Sequence, residues 1–282
     1  MMTYNLTLAG LSVTVRTPWE MTISDRWVPF LTESAVHKAD CTITVQPCPM
    51  LPQPLAGGLW HGTVYYEKGE SRRVFHAQAV QTAPYALVEF APNGNVTVSV
   101  LPAFADGFRT LSALFHYIEF EYWLLQHGGL LLHASLIQDR DRGMVFAGPS
   151  GVGKSTQAAL WNRFQGAEIL NGDRAVVRKT QSGWSAFGSP FAGTSGIYRN
   201  AQVPIAAIAV LRQATENRLH TLRGADALRH LYPEFSVHRF DERFAEQAVD
   251  LALDLIAQVP VYLLDCLPNE QAVQTLKEGI SC

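Results

Sequence analysis

Cysteine is scarce in this sequence: Cys41, Cys48, Cys266 and Cys282 are the four in a chain of 282 residues. None belongs to a C-x-x-C pair, and the spacing from Cys41 to Cys48 does not suit a zinc knuckle. That usage fits unpaired thiols in a reducing compartment. Net charge is small as well, −3 with 17% charged residues. No global basic field is present to attract nucleic acid or an anionic membrane, so neither is expected as a partner. Apolar runs are too short to span a bilayer. The opening MMTYNLTLAG lacks a basic segment followed by an apolar core, so no signal peptide is expected and the expected compartment is the cytoplasm. No repeat or low-complexity tract is visible.

Apolar content, at 48%, is ordinary to slightly high. A chain near this length can bury about three quarters of its unfolded surface, so it forms a core without staples. The first hundred residues read as β-rich. Tyr4 to Gly10, Leu11 to Val15, Cys41 to Val45 and Asn95 to Val100 alternate between apolar and polar residues, the period of a half-buried strand. Pro49 to Gly58 holds three prolines and two glycines and reads as a loop. The pattern changes near Phe104. Phe108, Leu111, Leu114, Phe115, Ile118, Tyr122 and Leu125 follow helical spacing and predict one helix of about 18 residues, with His127 as a cation at its end and a glycine cap after it. A domain boundary is therefore placed at about residue 105, dividing a β-rich domain, 1–105, from an α/β domain, 106–282.

In the second part, Leu130 to Ile137 and Met144 to Ala147 read as strands around a charged turn. A helix follows as far as Gly166, then a strand from Ala167 to Leu170. Ala175 to Val177 and Trp184 to Phe187 form a hairpin around Gln181-Ser182-Gly183. Ile205 to Leu211 and Val259 to Leu264 are strand-like, and Glu242 to Ala257 and Glu270 to Glu278 are helical.

The segment Gly148-Pro149-Ser150-Gly151-Val152-Gly153-Lys154-Ser155-Thr156 satisfies G-x-x-x-x-G-K-[ST] at every fixed position and stands between a strand and a helix. A chance match is expected in on the order of one chain in a hundred of this length. Each residue type has a physical reason. Glycines reach backbone angles closed to other residues, and successive N–H groups form an anion nest at the positive end of the next helix. Lys154 adds a full charge for the β- and γ-phosphates, and Ser155 offers a hydroxyl to Mg²⁺. The expected ligands are ATP and Mg²⁺.

Phosphoryl transfer also needs a carboxylate near the metal and a group to orient the nucleophile. Asp173 ends the next strand and is the candidate for Mg²⁺ ligand, base, or both; Asn171-Gly172-Asp173 is equally good turn chemistry. His133 lies in an apolar strand beside the loop strand and is read either as a satisfied core histidine or as a catalytic group. Arg199 is a candidate for neutralising phosphate, with a solvated loop arginine as the equal alternative.

The segment from His133 through the glycine-rich loop to Asp173 and Arg174 resembles the catalytic domain of the HPr serine kinase and phosphorylase family, among the phosphoenolpyruvate-carboxykinase-like P-loop enzymes. The shared parts are the strand His133 to Ile137, the loop Gly148 to Ser155 with its Ser150-Gly151, and Gly172-Asp173-Arg174. The likeness covers residues 127 to 211, and the β-rich leader is similar to that of unassigned HPr-kinase-related proteins. It implies a mixed-sheet P-loop domain, phosphate and metal roles for Lys154 and Ser155, and active-site positions for Asp173 and His133. Gly172 stands where the family carries the first of two carboxylates, and Thr156 where an acidic residue is common. The resemblance thus implies one carboxylate in place of two. HPr kinases assemble as hexamers; without their usual N-terminal domain that assembly is not carried over, and an oligomer stays an open alternative.

Two functions are expected from these residues. One is an ATP-dependent kinase transferring the γ-phosphoryl group to a serine or other hydroxyl on a protein, peptide or small molecule. The other is a nucleotide-binding regulator without turnover, motivated by Gly172. A carboxykinase is disfavoured because its larger set of metal- and carboxylate-binding residues is not seen.

Overall fold

In the computed structural model, residues 1–32, 39–69 and 71–280 are described; Cys282 lies outside them. The chain is mixed α/β with two large mixed sheets. Its packing divides it into two units, Met1–Trp123 and Leu124–Cys282.

The first unit is built on eight strands: β1 (Met2–Leu8), β2 (Leu11–Thr17), β3 (Cys41–Pro47), β4 (Leu59–His61), β5 (Val64–Tyr66), β6 (Arg73–Ala77), β7 (Pro84–Phe90) and β8 (Val96–Val100). They pair in the order β1-β2-β3-β8-β7-β6-β5-β4. The alternation seen in the sequence puts Leu6, Val13, Val15, Ile43, Val45, Val96 and Val98 inside.

The single helix expected from Gly107 to Gln126 is instead a 3-10 segment Pro102–Phe108 followed by two helices, α1 (Leu111–Tyr117) and α2 (Phe120–Gln126). The break falls at Glu119, whose φ is +52°. Its buried carboxylate accepts hydrogen bonds from Arg72 at 2.7 Å and Tyr66 at 2.6 Å. Helical periodicity records only which residues are apolar. It carries no trace of an acid that turns inward to meet a distant arginine. The same helices move the division of the chain beyond residue 105. Trp27 stacks on Phe115 at 4.9 Å, and Trp123 donates its indole N–H to Cys41 Sγ at 3.2 Å, so α1 and the start of α2 pack within the first unit.

The second unit holds the loop. Its elements are β9 (Gly129–Asp139), β10 (Arg142–Ala147), α3 (Lys154–Gln165), β11 (Glu168–Asn171), β12 (Arg174–Thr180), β13 (Gly183–Phe187), β14 (Gln202–Gln213), β15 (Arg218–Leu222), α4 (Gly224–Leu231), α5 (Glu242–Gln258), β16 (Val261–Cys266) and α6 (Glu270–Gly279). Two runs of pairing share the long strands β9 and β14: β11-β9-β10-β14-β16-β15 and β9-β12-β13-β14. The β10–β14 and β14–β16 pairs are parallel and the others antiparallel. The continuous apolar run of β9 follows from this arrangement, because both of its faces are covered.

Helices α3 and α6 cover β10, β14 and β16. Trp161, Val273 and Leu276 are buried against Phe146, Ala209, Leu211 and Leu264. Side chains fix the helix starts: Asp241 accepts from the Phe244 amide for α5, and Asn269 from the Ala272 amide for α6. β15 and α4 are not among the expected elements. No helix among the described residues is long and apolar enough to cross a membrane.

Candidate functional site

The loop Gly148 to Gly153 joins β10 to α3, and three of its glycines have positive φ: Gly148 at +142°, Gly151 at +80° and Gly153 at +114°. A β-carbon at Gly148 would stand 3.0 Å from Val152 and 3.4 Å from the Leu211 carbonyl, so this turn also needs a glycine for space. Gly151 and Gly153 instead face open space. The Gln213 side chain, at the end of β14, donates to the Gly151 carbonyl at 3.1 Å and ties the loop to the parallel strand beside it. Pro149, Ser150, Ser155 and Thr156 are exposed, and Val152 packs on the α3 core.

Lys154 opens α3 and is 7% exposed. Its ammonium donates to the carbonyls of Gly148 at 2.7 Å and Pro149 at 3.1 Å. Among the described residues no carboxylate lies within ion-pair distance of it. Burial pushes its pKa down, while Glu234 and Asp173 oppose that shift. A buried cation with only carbonyl partners is a receptor for an anion. The amides of Gly151, Gly153, Lys154 and Ser155 have no protein acceptor among the described residues. They form a row of free donors at a helix N-terminus, which is the chemistry that holds phosphate.

Asp173 sits between β11 and β12. Asn171 is fully buried, and its side-chain oxygen accepts from the amides of Asp173 at 2.9 Å and Arg174 at 2.7 Å. Its amide group donates to the Ser189 carbonyl at 3.0 Å. The Asn-Gly-Asp turn chemistry is therefore present, and it fixes the backbone at Asp173.

His133 lies in β9 opposite Arg174. Its Nε2 is 3.3 Å from Asp173 Oδ1 and its Nδ1 is 3.8 Å from Glu234 Oε2. The ring is half-buried, not sealed in a core. Burial and the positive charges of Lys154 and Arg174 hold its pKa below the ordinary value, against the pull of Asp173. The Arg174 guanidinium stands 3.8 Å from Asp173 Oδ2.

Glu234 is 9% exposed, and burial raises its pKa while Lys154 and Arg239 lower it. No motif marks it in the sequence, since it belongs to a Tyr-Pro-Glu turn after α4 and reaches the site only through the fold.

The loop Ala192 to Ile197 closes over the neighbouring residue Gly172. A β-carbon at Gly172 would collide with the Ser195 side chain. Ser195 Oγ donates to the Ala192 carbonyl at 2.6 Å and accepts from the Ile197 amide at 3.3 Å, so the serine is held in place. Arg199, proposed for phosphate neutralisation, instead pairs with Glu168 at 2.8 Å, both exposed.

The donor set suits Mg²⁺ held jointly with phosphate. No cluster of three His, Cys, Asp or Glu residues is poised for a metal among the described residues. Ser155 and Asp173 are the residues that could contribute ligands to a Mg²⁺ whose shell is otherwise phosphate and water.

A family model described as SynChlorMet cassette protein ScmC matches residues 109–269, more than half of the chain. No curated relative matches the sequence. Among solved structures, the chain is similar to that of the Hpr(Ser) kinase/phosphatase from Coxiella burnetii. Identity is 13% and the TM-score 0.32, over 54% of this chain and 92% of that one.

Proposed function

This chain belongs to that ScmC family, and we propose that it is an ATP-dependent kinase that transfers the γ-phosphoryl group to a serine or other hydroxyl of a protein, peptide or small molecule. The observation that carries the reading is the buried Lys154, without a carboxylate partner at contact, at the head of a row of free amides and within the electrostatic reach of Asp173 and His133. A P-loop needs the first part and phosphoryl transfer the second.

Each residue then has a task. The amides of Gly151, Gly153, Lys154 and Ser155, with the Lys154 ammonium, bind and orient the β- and γ-phosphates. Ser155 and Asp173 hold Mg²⁺, which when bound supplies charge neutralisation on the phosphate oxygens. Asp173 also orients the acceptor hydroxyl and takes up its proton, with the His133 imidazole beside it. Arg174 contributes a further positive charge next to Asp173.

The acceptance test is incubation of the purified chain with Mg-ATP and a panel of hydroxyl acceptors, water included. Transfer or slow hydrolysis is expected, and it should be lost in Asp173→Asn. Tight Mg-ATP binding with no turnover on any acceptor would sink the kinase reading. It would leave the second one, a nucleotide-binding regulator, which is favoured by Ser195 filling the space beside Gly172 where a second carboxylate would project.

A further inference from the structure

Glu234 is 9% exposed, and its carboxylate stands beside His133 without a hydrogen bond to another described residue. Its place is set by the backbone. Phe235 bridges Leu132 in the antiparallel sense, and the Ser236 amide donates to the Leu131 carbonyl at 2.9 Å. Glu234 directly precedes Phe235 and His133 directly follows Leu132, so this bridge brings the two side chains close, 3.8 Å from Nδ1 to Oε2.

On the other side of the ring, Nε2 is 3.3 Å from Asp173. The imidazole thus stands between two carboxylates from distant parts of the chain. Position 172, next to Asp173, cannot supply the second acid, because Ser195 occupies the space.

We propose that Glu234 is a positioning residue, whose carboxylate restrains the Nδ1 side of His133 so that the Nε2 side stays aimed at Asp173. The functional consequence rests on the phosphoryl-transfer reading above; the contact itself does not. In this role Glu234 acts through His133. Its effect therefore belongs to turnover and not to nucleotide affinity.

Two measurements test this. In ¹⁵N-labelled protein at pH 8 without nucleotide, the two His133 nitrogens should resonate far apart, as one tautomer. In Glu234→Gln they should draw together, and in Glu234→Asp remain nearer the wild-type positions. Assignment comes from His133→Gln. Unchanged shifts in Glu234→Gln overturn the proposal. In turnover of Mg-ATP, Glu234→Gln should lose about tenfold or more in kcat, with ATP affinity within about twofold. The double variant Glu234→Gln/His133→Ala should be no slower than His133→Ala alone. Additive losses, or a matching loss of ATP affinity, overturn it too, the latter by pointing to Lys154 as the group served. A wild-type protein that binds Mg-ATP without turning it over defeats the kinase reading, and the nitrogen shifts still decide the Glu234 contact.

Discussion

The Lys154 ammonium lies 2.7 Å from the carbonyl oxygen of Gly148, at the other end of its own loop. The cation is folded onto the loop it is meant to charge, and its carbonyl contacts are replaceable. A phosphate entering the loop exchanges neutral acceptors for a charged one, and a charge-assisted hydrogen bond is roughly twice as strong as a neutral one.

Lys154→Ala should therefore weaken ATP binding by about tenfold to a hundredfold, the equivalent of ~1.5–3 kcal/mol for hydrogen bonds to a charged group. Titration calorimetry with Mg-ATP measures this, with circular dichroism to verify the fold. An unchanged affinity would mean that the loop is not the phosphate site.

Asp173→Asn separates the two readings of function. It preserves the shape of a side chain whose backbone is held by Asn171, so the fold should persist. In an enzyme the transfer rate should fall at least roughly 100-fold, the range of acid–base groups. In a regulator the response to nucleotide should survive. A variant as fast as wild type removes Asp173 from the chemistry.

Restoring a carboxylate beside Asp173 should fail on steric grounds. Gly172→Asp drives its β-carbon into Ser195, a residue pinned by the Ala192 carbonyl and the Ile197 amide. Overpacking of this kind costs about 1–3 kcal/mol. Differential scanning calorimetry should show a lowered Tm, and adding Ser195→Gly should recover part of it. A single variant as stable as wild type would show that the loop yields freely.

The β-rich unit should weaken in mild acid through His76. Burial lowers its pKa to about 4, opposed by the Glu119 charge and the hydrogen bond to the Tyr117 carbonyl. The folded value lies below the unfolded one, so the unfolded chain binds the proton first. The stability tied to a neutral His76 is full above about pH 6.5 and is lost as pH falls toward 4, about 3 kcal/mol in all. Urea titrations at pH 7 and pH 4.5 should show this slope in wild type and a shallower one in His76→Gln. Equal slopes would place the acid sensitivity elsewhere.

Several parts of the site are local and were legible for that reason. A strand, three glycines, Lys154 and the start of a helix lie within a short stretch, and φ preference, charge and hydrophobic period act over that range. Asn171-Gly172-Asp173 was readable as turn chemistry, and the hairpin around Gln181-Ser182-Gly183 as well. The break at Glu119 was not, because its carboxylate pairs with Arg72, remote in the chain and just before β6. Arg199 carried the right chemistry in the sequence, but Glu168 engages it.

The sequence by itself determined a β-rich leader, an α/β part and a glycine-rich loop between a strand and a helix. Each follows from residues that are neighbours in the chain. Only the tertiary structure decided that Asp173, His133 and Glu234 meet. That constellation depends on β9 pairing with β12 on one side and with the turn after α4 on the other. Pairing between remote segments depends on the core as a whole, and no local pattern of residues encodes it.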